Sequence, residues 1–128
     1  MSPEVITSLV TAYFASLQTM DQEQWLQNFT EDALIYDPVG NPPSRAIADA
    51  DKFFGLLSMA FATLQLTQDS VFVVKNGAAV KWTMQATGKN GKQATAEGIS
   101  IFEIDESGKI QQVSSYWDDA ALMAQLKD

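Results

Sequence analysis

The chain has 128 residues, 16 acidic and eight basic side chains and a net charge of −8, and it contains neither cysteine nor histidine. One domain over residues 1–128 is expected at this length, with roughly two-thirds of the unfolded chain's surface buried, and 46% apolar residues is an ordinary globular fraction. The two missing residue types exclude disulfides, thiol nucleophiles, Ser-His-Asp triads and histidine metal sites, while the acidic balance argues against nucleic acid or an anionic membrane surface as partner.

Ser2-Pro3-Glu4 has the form of a helix start: a serine cap, proline at the first helical position and an acid near the positive end of the dipole. Val5, Ile6, Leu9, Val10, Tyr13, Phe14 and Leu17 then recur at helical spacing, which predicts an amphipathic helix to about Met20 with Tyr13 inside its apolar stripe. Asp21 caps a second, short helix carrying Trp25, Leu26 and Phe29, and Thr30-Glu31-Asp32 breaks the pattern. Ala33 to Asp37 is extended, and Pro38-Val39-Gly40-Asn41-Pro42-Pro43 is loop, so Asp37 lies where a strand runs out. Helical spacing returns from Arg45 to about Thr63 through Ile47, Ala50, Phe53, Phe54, Leu57, Ala60 and Phe61.

After Leu64 the pattern is that of strands. Leu64-Gln65-Leu66-Thr67 and Val71-Phe72-Val73-Val74 are β-rich, and Asn76-Gly77 is a two-residue hairpin signal. A strand from Ala78 to Thr87 sets Val80, Trp82 and Met84 on one face against Lys81, Thr83 and Gln85 on the other. Asn90-Gly91 turns the chain into a strand over Gln93 to Ile104, Asp105 to Gly108 turns it again into Lys109 to Trp117, and Asp118-Asp119 opens a C-terminal helix. The fold class is α+β: a curved, mostly antiparallel sheet wrapped as a cone around the long N-terminal helix, with two further helices ahead of the strand meander. The N-terminus lacks the basic region and apolar run of a signal peptide, and no stretch reaches the roughly 18 apolar residues of a membrane span, so a cytoplasmic location is expected.

Tyr13, the run Phe29-Thr30-Glu31-Asp32-Ala33, the loop Asp37-Pro38-Val39-Gly40 and Phe53-Phe54 together resemble the ketosteroid isomerases (steroid Δ-isomerases) of the nuclear transport factor 2-like and SnoaL-like superfamily. The late run Phe102-Glu103-Ile104 through Gly108-Lys109-Ile110 extends the match over essentially the whole chain. The resemblance implies that Asp37 is the general base and Tyr13 the oxyanion donor of an isomerase without cofactor or metal, acting on a small apolar carbonyl compound. It also implies a homodimer through the sheet face, for which Val71, Val73, Val80, Trp82 and Met84 supply apolar strand surface. Ser100 stands where the family has a protonated aspartate as second donor; a serine hydroxyl also donates, but it is shorter and less acidic.

Phe53, Phe54, Phe61, Trp82, Met84 and Trp117 are candidate substrate-binding walls, with plain core packing as the competing reading. Tyr13 competes likewise as a core tyrosine, Asp37 as a turn residue and Ser100 as an inward-facing polar side chain. Asp118-Asp119 is read as helix-start acids rather than a metal pair. The alternative function is a non-catalytic module of the same fold that binds a small hydrophobic ligand or a second copy. A SnoaL-like aldol cyclase is disfavoured because it pairs its carboxylate with a histidine, absent here.

Overall fold

The computed structural model describes residues 1–128 as one six-stranded sheet and four helices. Helix α1 (Pro3–Gln18) starts as its sequence dictates, with the Ser2 hydroxyl accepting from the Val5 N–H at 3.3 Å. It buries Ile6, Val10, Tyr13 and Phe14 along one stripe. Asp21 caps α2 (Gln22–Leu26) in the same way, through the Gln24 N–H. Strand β1 (Phe29–Tyr36) then runs straight through Thr30-Glu31-Asp32, where a break is predicted. Glu31 and Asp32 are exposed there, and the register of β1 is irregular between Phe29 and Leu34, so a charged, frayed stretch is accommodated within the strand.

The two-residue strand β2 (Ser44–Arg45) pairs with β1, which removes the predicted start of the third helix. Helix α3 covers Ala50–Ala60 rather than Arg45 to Thr63, and Phe61 is already extended and opens β3 (Phe61–Val74). Apolar spacing alone cannot place that boundary, because Phe61, Leu64 and Leu66 fit both the end of a helical stripe and one face of a bulged strand. Strands β4 (Gly77–Gly88), β5 (Gln93–Ile104) and β6 (Ile110–Tyr116) follow, and α4 (Asp119–Leu126) is capped by Asp118 through the Ala121 N–H at 2.9 Å. The first hairpin turns on Lys75-Asn76, one position before the predicted Asn76-Gly77, with Lys75 in the left-handed conformation (φ 53°).

The sheet order is β2-β1-β6-β5-β4-β3, antiparallel except for the β1–β6 pair. This is the α+β cone: α1 lies in the concave face, and the alternation of β4 buries Ala78, Val80, Trp82 and Met84 against it. The residues predicted to form the dimer surface therefore point the other way. Val71 and Val73 stand opposite Val80 and Ala78 and share their inward face, whereas the outward apolar side chains are Phe72, Val74, Ile99 and Tyr116. Farther along the outer face Lys81 pairs with Asp69 at 2.8 Å and Glu97 at 3.0 Å. No helix is long and apolar enough to cross a membrane.

Candidate active site

The concave face is not filled. Between α1, α3, α4 and the inner face of the sheet lies a cavity of about 420 Å³, within the range of small-molecule sites. It brings Tyr13, Asp37 and Ser100 to one space, along with five of the six predicted wall residues: Phe53, Phe61, Trp82, Met84 and Trp117. The sixth, Phe54, is turned away; it is buried against Trp25 and Phe53, with ring centroids 5.5 and 5.3 Å apart. Phe53 also packs on Trp25, with ring centroids 5.1 Å apart, and lines the cavity as well.

Asp37 stands just beyond the end of β1, and its peptide bond to Pro38 is cis. The indole N–H of Trp117, the residue following β6, donates to Asp37 Oδ1 at 2.6 Å. Asp37 is exposed as a residue, although many protein atoms lie close around its carboxylate. That crowding pushes the Asp37 pKa up to about 6; the Trp117 hydrogen bond opposes the rise and the charge of Asp119 adds to it. Asp119, in the first turn of α4, lines the same cavity while its neighbour Asp118 caps the helix. The acids read from sequence as one helix-start pair thus serve two places. Asp119→Asn is expected to lower the Asp37 midpoint below about 6, read from the ¹³C shift of the Asp37 carboxyl against pH; an unmoved midpoint would show that the Asp119 charge does not reach it.

Tyr13 is 2% exposed, and burial, reinforced by the Asp37 charge, holds its pKa well above the ordinary 10.0, so it stays a phenol. Its ring is wedged among Phe14, Trp25, Phe29 and Phe102, at centroid distances of 5.0–6.2 Å. The hydroxyl has no hydrogen-bond partner in the protein and is not among the sealed polar atoms, so it opens onto the cavity as a donor.

Ser100, 2% exposed on β5, is committed to neighbours that the sequence reading did not pair with it. Its Oγ accepts from Trp82 Nε1 at 2.9 Å and lies 2.7 Å from the Ser115 Oγ of β6. Trp82, predicted as an apolar wall, is therefore also a hydrogen-bond donor. Ser115 and Asp119 are the polar lining residues absent from the predicted site. Strand alternation was the available signal for Ser115, because Val113 and Ser115 are two apart and both face inward.

The cavity thus offers one carboxylate with a raised pKa, one free phenol and a hydroxyl pair against apolar walls, an arrangement suited to moving a proton on an apolar compound that bears a hydrogen-bond acceptor. The fold is shared with several solved structures. A putative hydroxylase, AclR, from Streptomyces galilaeus superposes with a TM-score of 0.82 at 19% identity, over 98% of this chain and 82% of that one. A Δ5-3-ketosteroid isomerase from Mycobacterium sp. gives 0.75 at 20%, over 91% and 95%. An LEH-like epoxide hydrolase of M. tuberculosis gives 0.75 at 17%, over 96% and 90%. At the level of sequence the model of the SnoaL-like domain matches residues 10–113, most of the length and all of β1 to β5, and the chain belongs to the SnoaL-like domain family.

Proposed function

We propose that the protein is a cofactor-independent isomerase of the ketosteroid isomerase type, shifting a proton within an apolar, enolisable carbonyl compound. Asp37, as carboxylate, takes a proton from the carbon beside the carbonyl and returns it to a carbon farther along the conjugated system. Tyr13 donates to the carbonyl oxygen as it becomes an enolate. The observation that carries this reading is the convergence of Asp37 and the unpartnered Tyr13 phenol on one apolar cavity. A pKa of about 6 keeps Asp37 ionised at neutral pH yet basic enough to hold a proton transiently.

The test uses a 3-oxo-Δ5-steroid and a smaller β,γ-unsaturated ketone. Formation of the conjugated enone is followed by ultraviolet absorption, and exchange of the α-hydrogens with deuterated solvent by NMR. Turnover by the native protein that is absent from Asp37→Asn supports the reading. Binding of both ketones with neither enone formation nor exchange would replace it with the non-catalytic ligand-binding function.

We further propose that the protein is a homodimer through the outer sheet face, where Phe72 and Val74 are about 70% exposed and Ile99 and Tyr116 about half exposed. Sedimentation equilibrium is expected to give twice the chain mass for the native protein and the single mass for Phe72→Glu; a monomeric native protein would overturn the assignment.

A further inference from the structure

The hydrogen-bond count at the inner wall of the cavity leaves one donor over. Three polar hydrogens meet there: those of Trp82 Nε1, Ser100 Oγ and Ser115 Oγ. The Trp82 hydrogen is spent on Ser100, and one hydroxyl hydrogen is spent between the two serines, whichever of them donates. No other protein group accepts from either hydroxyl, both residues are 2–3% exposed, and both line the cavity. The remaining hydrogen can be satisfied only from within the cavity, and leaving it unsatisfied in a buried setting is unfavourable.

Two directions of the pair are possible. In one, Ser100 accepts twice and donates to the cavity. In the other, each hydroxyl accepts once and donates once, giving a single chain from Trp82 to Ser100 to Ser115 to the ligand, in which every bond polarises the next. The fold places the end of that chain beside the base. Ser114 pairs with Tyr36 across the β1–β6 ladder, and the Ser115 carbonyl accepts from the Val39 N–H at 2.8 Å, so Ser115 is tied to both sides of Asp37. Ser100 lies one strand farther away.

We propose that Ser115 is a ligand-binding residue: the terminal donor of the Trp82–Ser100–Ser115 chain, which selects compounds presenting an uncharged oxygen acceptor to the wall beside Asp37. Ser100 and Trp82 act through Ser115 as positioning residues. The assignment rests on the carbonyl-binding reading of the cavity but not on catalysis, so a carbonyl compound that cannot enolise separates the two.

Benzophenone, which has no α-hydrogen, and diphenylmethane, its hydrocarbon counterpart, are titrated into the native protein and into Ser115→Thr and Ser115→Val, two variants of nearly equal shape that differ by the hydroxyl. The native protein and Ser115→Thr are expected to bind benzophenone about 3–10-fold more tightly than Ser115→Val, the range of one net hydrogen bond, with diphenylmethane indifferent to the exchange. The infrared carbonyl stretch of bound benzophenone is expected to lie lower with the native protein and Ser115→Thr than with Ser115→Val. Equal affinity and equal stretch in the Thr and Val variants would overturn the proposal, as would native protein that does not prefer benzophenone over diphenylmethane. Failure of the Asp37→Asn experiment alongside the expected benzophenone results would remove the isomerase reading and leave this site standing.

Discussion

Asp37→Asn is expected to lower kcat on an enolisable ketone by about 10²–10⁴-fold, the usual contribution of a positioned base, while binding of the ketone changes little. The amide keeps the shape of the side chain and an oxygen for the Trp117 indole, so the loss reports proton transfer rather than collapse of the site. In the native protein the carboxylate is the reactive form, so kcat/KM is expected to rise with pH through about 6 and level off above it. Stability is expected to run the opposite way. The unfolded chain releases this proton near 3.8 and the folded chain near 6, so the folded state holds it more tightly. The stabilisation is fully present below about 3.8 and is lost as pH rises through about 6. Near neutrality Asp37→Asn is therefore expected to be more stable than the native protein, by about 1 kcal/mol after discounting for solvent at the exposed residue, or about 3–5 °C in Tm. No difference between the two is expected below about pH 3.8, and thermal unfolding at the two extremes checks the sign. A variant that is inactive and less stable at neutral pH would show that Asp37 holds the fold rather than serving the cavity.

What could be read from the sequence follows from which interactions are local. Ser2, Asp21 and Asp118 cap their helices through backbone N–H groups three residues on, so residue type and position suffice to find them. The faces of β4 follow from alternation for the same reason. The end of α3 does not, because Phe61 is apolar in either structure and its extended state is fixed by pairing with Gly88, 27 positions away along the chain. Tyr13 and Asp37 came to notice through a resemblance, and the structure adds why they can share a space: α1 lies in the cone whose sheet carries Asp37 at the end of β1. Of the inner polar wall Ser100 and Trp82 are candidates from the sequence, but the hydrogen bonds that join them to each other and to Ser115 are not legible there. Trp82, Ser100 and Ser115 come from three strands, and neither an indole nor a serine on a buried face announces a partner. For the end of β3 the sequence shows only which residues are apolar, while the bulge between Gln68 and Ser70 decides that Val71 and Val73 face inward and Phe72 and Val74 outward.

Gly98→Ala is expected to disturb the site more than any other single methyl group. A Cβ on Gly98 would stand 2.6 Å from the Tyr116 carbonyl oxygen, 2.7 Å from Trp117 Cβ and 2.7 Å from Trp82 Cζ2. Real Cβ contacts this short essentially do not occur, and the first is to backbone and the second to the Cβ of Trp117, so β5 must move away from the end of β6 and the Trp82 indole must shift. The Trp82 and Trp117 indoles pack edge to face at 5.7 Å, and each holds one polar group of the cavity: Trp117 donates to Asp37 and Trp82 to Ser100. Overpacking at such a point costs about 1–3 kcal/mol, visible as a lower midpoint in thermal or urea unfolding. The functional consequence is separate and has a definite direction. Asp37 loses the donor that opposes its desolvation, so its midpoint is expected to rise above about 6 and the pH profile of turnover to follow it upward. Gly55→Ala supplies the contrast, since nothing lies within 4 Å of a Cβ there and the position is inside α3; it is expected to stabilise the protein by about 0.5–1 kcal/mol through helix propensity and to leave the Asp37 midpoint where it is. Equal stability and an unchanged carboxyl titration in Gly98→Ala would mean that the Trp82–Trp117 contact does not hold the base in place.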